Sequence, residues 1–351
     1  MAYNTLSKAY TFFHFFDRAN MASIKDVAKA AGVSTATVSR VIANKGYITD
    51  EKRQLVLRAI EELKYRPNLI ARSLRAQTST KIGLVVSDIR NPFFTAIARS
   101  VEDAAYERGY SIIICNTDEN PEKEQLYLNL MHDENVAGVI FSPTQQFGLT
   151  RKPYQTHIPF VIIDRRVDNN PNYDTVMLDN IAAAYTLTEH LISQGYRRLT
   201  GFFGDTSTTG FDRREGFERA IRQAGLEHYG AHFIAPRIEQ GYQSTLELLN
   251  NNVKPDAIFT SNNLITVGVF QALRANKIRI PQDIALVGFD ETTWGNVVEP
   301  PLTIISQPTE DIGRSAIELL LQRIEMPDRP HKKLIMQGTL QVKGSSLKRK
   351  A

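Results

Sequence analysis

The chain has 351 residues, 42% of them hydrophobic and 23% charged, proportions that exclude a wholly disordered or collagen-like protein and a length that suits more than one domain. Its net charge of +4 is mild but unevenly placed: across residues 21–80 eleven basic side chains face five acidic ones, which leaves the remainder slightly acidic. A basic segment joined to a near-neutral globule points to phosphate contacts at one end, and no apolar run approaches the roughly 18–20 residues of a membrane span.

Residues 1–20 hold an aromatic cluster at 10–16, interrupted by Thr11 and His14, with no continuous apolar core and no small-residue cleavage site, so no targeting role is expected. From residue 24 the run I-K-D-V-A-K-A-A-G-V-S-T-A-T-V-S-R-V places Val27, Ala28, Ala31, Val33, Val38 and Val41 on one helical face, and Gly32 and Val33 break the pattern between two short helices. That is the layout of a helix-turn-helix. Ser34 is placed to cap the second helix, whose first residues from Thr35 are then open to base edges. A third helix is expected from Thr49 as N-cap, with Asp50 and Glu51 suiting the helix dipole and Val56, Ala59, Ile60 and Leu63 forming its buried stripe. Tyr65, Arg66 and Pro67 end it. Pro67 also suits the first position of a new short helix over 68–75, and the polar stretch 77–80 marks a domain boundary.

Beyond residue 81 short apolar runs alternate with helical patterns. Strands are expected at 82–87, 111–116, 138–142 and 160–164, with helices at 96–108, 122–134 and 180–193. A second series puts strands at 199–204, 233–234, 257–261 and 285–289, with helices at 214–224, 242–251 and 262–276. Two such sets imply two lobes, each a parallel sheet with helices on both faces. Cys115, the one cysteine, lies in S-I-I-I-C-N and is expected as a buried strand residue rather than a reactive thiol. No G-x-G-x-x-G, P-loop or nucleophile elbow opens a strand-helix unit, and the seven histidines lack metal-ligand spacing. No catalytic residue, metal or cofactor is therefore expected.

The run at 23–40, the signature Y-R-P-N-L-I-A-R-S-L at 65–74, and the order of motifs from Met21 to about Ser346 resemble the LacI/GalR family of bacterial transcription regulators. The resemblance implies an N-terminal all-α helix-turn-helix headpiece and hinge helix, then a two-lobed, periplasmic-binding-protein-like α/β core of parallel sheets flanked by helices. It implies three crossings of the chain between lobes, expected near 164–179, 290–303 and after Arg323. Met21 is then the expected natural start, with 1–20 a disordered extension or start-site artefact. Residues 21–66 form the headpiece, 67–80 the hinge helix and linker, 81–346 the effector-binding and dimerisation core, and 347–351 a basic tail.

By the same resemblance Thr35, Ala36 and Arg40 read bases: an arginine can bind guanine through two hydrogen bonds, and an alanine can touch a thymine methyl. Ser34, Thr37 and Ser39 are assigned to phosphate contact or capping. Leu74, with Ala71 and Arg75 beside it, matches the family leucine that wedges into the minor groove and kinks the duplex. Wedge and half-site reader both work in pairs, which implies a homodimer on a pseudo-palindromic operator in double-stranded DNA. In the core, ligands bind beyond the carboxyl ends of the strands. The expected effector set is Asn91, Phe93 and Phe94 in D-I-R-N-P-F-F, Thr209 and Arg213 in T-T-G-F-D-R-R-E-G-F, Tyr242, Asn262, Asp290 in V-G-F-D, and Trp294. Arg213 would pair with effector oxygens and Asp290 would accept from hydroxyls, so a sugar or sugar acid is the expected ligand. The chain departs from the family at Asn263, where an acid is common, and at Lys343, where an arginine is common. The resemblance implies a cytoplasmic, nucleoid-associated repressor controlled by a small molecule. The rival is a transport-type solute-binding protein on the same core, against which the headpiece argues.

Overall fold

The computed structural model describes residues 22–43, 46–65, 79–147, 158–167, 172–226, 230–250, 255–291 and 293–347. The expected extension at 1–20, the hinge helix at 68–75 with Ala71, Leu74 and Arg75, and the tail beyond Leu347 lie outside the described residues. Contacts divide the chain into two units, Met1–Thr78 and Ser79–Ala351.

The first unit holds helices α1 (Ile24–Ala30), α2 (Thr35–Ala43) and α3 (Asp50–Glu62). A capping box starts α1: the Asp26 carboxylate accepts the Ser23 N–H at 2.8 Å, and the Asp26 N–H donates to Ser23 Oγ at 3.4 Å. At its end Gly32 takes φ +62°, so that the Gly32 and Val33 N–H groups reach the Lys29 and Ala28 carbonyls at 3.3 and 3.0 Å. This left-handed turn, natural for glycine, sends the chain into α2. Val27, Val38 and Val56, one from each helix, are fully buried and hold the three together. Thr49 stands at the N-cap of α3 as expected, yet its side chain makes no capping bond; Asp50 and Glu51 in the first turn supply the favourable charge instead.

The second unit has two lobes. In the first, parallel strands run in the order β2–β1–β3–β4–β5–β11, with β1 Lys81–Val86, β2 Ser111–Asn116, β3 Gly138–Phe141, β4 Phe160–Ile163, β5 Asp174–Leu178 and β11 Lys333–Met336. Alternate residues serve opposite faces. Ile82, Leu84 and Val86 pack with Ile97 and Val101 of α4 (Pro92–Tyr106) and with Ile317 and Leu320 of α11 (Thr309–Glu325). Val85, Val139 and Phe141 pack with Leu128 and Met131 of α5 (Pro121–Asp133), and Cys115 is buried among them.

The second lobe orders its strands β7–β6–β8–β9–β10–β12: β6 Leu199–Gly204, β7 Gly230–Ile234, β8 Ala257–Thr260, β9 Ala285–Phe289, β10 Thr303–Ser306 and β12 Thr339–Gln341, the last antiparallel to β10. Phe203, Phe259 and Phe289 pack against α6 (Asn180–Ser193) and α7 (Thr208–Gln223), while Phe202, Ile258 and Leu286 pack against α9 (Asn263–Ala275). Two further helices, α8 (Ile238–Leu249) and α10 (Thr293–Val297), complete the lobe. Truncating a buried ring such as Phe259 to alanine should cost about 3–5 kcal/mol.

Three crossings join the lobes. The first runs from β5 straight into α6, inside the expected interval. The second is not at 290–303, because the short buried run T-I-I-S forms β10 and pairs with β9, so the chain leaves the second lobe only at 307–309. The third lies between β11 and β12. Strands β5, β10, β11 and β12 and helix α11 were not expected, and α4 starts earlier than its apolar pattern suggests because Asn91 caps Pro92 at the first turn. No helix among the described residues is long and apolar enough to cross a membrane.

Candidate functional site

On α2 the Ser34 Oγ accepts the Thr37 N–H at 3.2 Å and lies 3.0 Å from Thr37 Oγ1, so Ser34 and Thr37 cap the helix and Thr37 is half-buried. Val38 and Val41 turn inward. Thr35, Ala36, Ser39 and Arg40 fall on the opposite side and are exposed, and among the described residues Arg40 makes no ion pair or hydrogen bond. An exposed guanidinium at that position is available for an outside partner.

The cleft of the second unit is lined from the carboxyl ends of strands in both lobes. Of the expected effector residues, Asn91, Phe93, Phe94, Thr209, Arg213, Asn262 and Asp290 line it. Tyr242 and Trp294 do not. Tyr242 is half-buried on α8, which presses against Gly268 of α9, and the Trp294 indole packs into the core with its ring 5.9 Å from that of Phe270. Asn91 and Asn262 each spend their side-chain oxygen as helix caps, accepting the Phe93 N–H at 3.2 Å and the Ile265 N–H at 2.9 Å, which leaves their amide N–H groups for a ligand. The Asn91 cap sets Phe93 and Phe94 edge to face, with centroids 5.1 Å apart.

Helix α7 reaches the cleft because residue 210 is glycine: a Cβ there would come within 1.9 Å of the Gly204 carbonyl oxygen at the end of β6. Arg213 follows one turn later and is 4% exposed. Its Nε–H donates to Asn180 Oδ1 at 2.8 Å, its Nη1 donates to the Ser261 carbonyl, and its guanidinium lies 3.9 Å above the Phe289 ring. Burial pushes its pKa down, against the pull of Asp290 and Asp164. Asp290 is also buried, and burial raises its carboxyl above the ordinary range despite Arg213 and a 2.6 Å hydrogen bond from Gln307 Nε2.

Sequence reasoning missed several cleft residues. Asp164, one residue after β4, takes φ 68°, and Asp290, one residue after β9, takes φ 75°. Left-handed non-glycine residues are strained, and their pairing at equivalent strand ends in the two lobes marks the site. Arg165 beside Asp164 was also missed. Its Nε–H donates to Asp164 at 3.1 Å and its Nη1 to Glu119 and the Pro143 carbonyl at 2.8 and 2.7 Å; burial opposes its charge, and the two carboxylates outweigh burial. Asp88 is held by Arg90 at 2.9 and 2.8 Å. Asp88, Ser261 and Gln307 each lie within two residues of a strand end, the signal that could have found them. The Ser207 hydroxyl pairs with Thr209 Oγ1 at 2.6 Å, two hydroxyls at the start of α7.

Residues 79–341 match the family of periplasmic binding proteins and sugar binding domains of the LacI family, and residues 23–68 match bacterial regulatory proteins of the lacI family. The chain belongs to the lacI family. This lacI-family chain is 41% identical over 308 residues to the ribose operon repressor of Halalkalibacterium halodurans, covering 87% of the chain and 91% of that protein. The transcriptional regulator CelR in complex with cellobiose is 28% identical, with a TM-score of 0.70 over 92% of the chain and 99% of CelR. The Lac repressor dimer bound to operator and the anti-inducer ONPF, at 23% identity, shares the fold with a TM-score of 0.85 over 93% of the chain and 100% of that one. The lacI-family protein is a DNA-binding transcriptional regulator with a two-lobed effector core, not an enzyme. The transport-type alternative leaves the match at residues 23–68 without a role.

Proposed function

We propose that this regulator is a repressor that binds a pseudo-palindromic operator as a homodimer and is controlled by a small sugar of the pentose class in the cleft. The observation that carries the effector half is that Arg213 and Asp290 are both buried and both line one cavity with Phe93, Phe94, Asn91 and Asn262. A guanidinium donates to hydroxyl or ring oxygens, a carboxylate accepts from two hydroxyls, and ring faces cover the apolar side of a sugar. The name of the 41% identical relative supports ribose within that class. Tyr242 and Trp294 are not carried into the site.

On the DNA side, Thr35, Ala36 and Arg40 are assigned to base edges, and Ser34, Thr37 and Ser39 to capping or phosphate contact; the exposed face of α2 supports this. Leu74, with Ala71 and Arg75, is assigned to the minor groove. The domain scheme is 21–66 headpiece, 67–80 hinge and linker, 81–346 core and 347–351 tail, supported by the contact division at Thr78 and Ser79. The site of action is the cytoplasm, on nucleoid DNA. Selection of bound genomic fragments, followed by operator binding with and without D-ribose, tests the reading. A palindromic fragment whose affinity changes with D-ribose is expected; no heat of binding for D-ribose and no change in operator affinity would overturn the effector assignment.

A further inference from the structure

We propose that Asn180 and Gln307 are positioning residues that tie the two ionic groups of the cleft to the chain crossings between lobes, so that grip on the effector and the conformation of the crossings change together. The proposal rests on the sugar reading of the cleft. Arg213 and Asp290 both belong to the second lobe, yet each is held by a residue on a crossing. Asn180, which accepts the Arg213 Nε–H at 2.8 Å, is the first residue of α6, reached directly from β5 of the first lobe. Its amide donates back to the carbonyl of Leu178, the last residue of β5, at 3.3 Å. Gln307, which donates to Asp290 Oδ1 at 2.6 Å, follows β10 and leads into α11 of the first lobe. The third crossing is fastened to the first, since the Asp179 N–H donates to the Met336 carbonyl at 2.9 Å.

Both amides are buried, at 4% and 8% exposure, so water does not readily take their place. An amide offers an acceptor to the guanidinium or a donor to the carboxylate without adding charge to a cavity that already holds Asp88, Glu119, Asp164 and Asp290. Lobe rotation is absorbed by backbone changes at a few connecting residues. A change of ψ at 178–180 moves the oxygen that orients Arg213, and one at 306–308 moves the nitrogen that orients Asp290. By linkage, an effector that needs both groups in register then favours the crossing conformation that supplies them.

Calorimetric titration of D-ribose into the full-length protein, with operator affinity measured with and without saturating D-ribose, tests this. Asn180→Leu should weaken D-ribose binding at least about tenfold and bring the ratio of the two operator affinities towards one, with sugar-free operator affinity changed less than about twofold. Asn180→Asp keeps the acceptor for Arg213 but adds a charge beside the cleft carboxylates, so it should weaken D-ribose binding clearly less than Asn180→Leu does. Gln307→Met should weaken D-ribose as Asn180→Leu does. If Asn180→Leu does not fold, Asn180→Ser, too short to reach Arg213, carries the same expectation. Unchanged affinity and ratio in a folded Leu or Ser variant overturns the proposal, and so does equal weakening in Asn180→Asp, which would mean packing alone. A wild-type protein silent to D-ribose overturns the sugar reading, and the proposal with it.

Discussion

Replacing Arg213 with methionine tests the cleft at its centre. Its Nε–H and one Nη1 hydrogen are spent on Asn180 and Ser261, which leaves Nη2 and the other Nη1 hydrogen for a ligand. Two hydrogen bonds from a charged donor at about 1.5 kcal/mol each sum to ~3 kcal/mol, or roughly 150-fold in affinity. Methionine keeps an unbranched chain over the Phe289 ring, so packing in the second lobe survives while the donors vanish. Asp290 loses its attracting cation, which pushes its carboxyl further above the ordinary range. Calorimetry with D-ribose on the wild type and Arg213→Met, beside operator binding by fluorescence anisotropy, measures the effect. Weakened sugar binding with sugar-free operator affinity intact is expected. D-ribose affinity within about twofold of wild type would remove Arg213 from the site.

Because folding raises the Asp290 carboxyl, the folded chain keeps a proton that the unfolded chain sheds above the ordinary value of 3.8, so this group's contribution is full below that pH and is lost as pH rises through the folded value. Asp290→Asn should therefore gain thermal stability relative to wild type as pH rises above the ordinary carboxyl value of 3.8; a wild-type advantage at neutral pH would show that Arg213 outweighs burial. Asp174, fully buried, accepts from Arg323 at 3.0 Å, from Arg329 at 2.9 and 2.8 Å and from the Lys332 N–H at 2.8 Å, so Asp174→Ala should lose about 3–5 kcal/mol in urea unfolding. An unchanged midpoint would mean that water reaches these guanidinium groups. Arg40→Ala should cost about 1–3 kcal/mol on operator DNA and far less on random DNA, measured by competition; equal losses would confine Arg40 to phosphate contact.

The sequence revealed most where local pattern and burial agree. Val27, Val38 and Val56 stand at helical spacing and are the fully buried residues that join three helices. The continuous apolar runs of β1 and β9 follow from strands covered on both faces. Legibility failed where an element is short or borrows its partner from far away. Strand β11, K-L-I-M, is half-exposed and has no pattern of its own; it forms because β5 offers an edge more than 150 residues earlier. Missing β10 displaced the second crossing and hid Gln307, and Trp294, an apparent ligand face, belongs to the core. Asp164 and Arg165 were hidden for another reason: their role depends on a left-handed backbone at a strand end and on Glu119, a contact between residues 46 apart in the chain.

The direct bridges between lobes bear on what the effector must do. Arg166 of the first lobe pairs with Asp212 on α7, its N–H donates to Thr208 Oγ1 at 3.3 Å, and Gln145 Nε2 donates to the Asp205 carbonyl at 3.1 Å. All three second-lobe partners lie in the stretch that carries Thr209 and Arg213. The Arg166 side chain is 39% exposed, and a pair so open to water contributes on the order of 0–1 kcal/mol. Moving a two-state equilibrium from 1:99 to 99:1 takes about 5.5 kcal/mol of differential affinity, more than this pair supplies. If the Arg213 contacts form in one lobe arrangement only, their ~3 kcal/mol covers a typical coupling of 1–3 kcal/mol but not a complete switch. The remainder must come from groups in the first lobe that touch the same ligand, with Asn91 and Phe93 as the candidates. A sugar too small to reach them should bind yet leave operator affinity nearly unchanged.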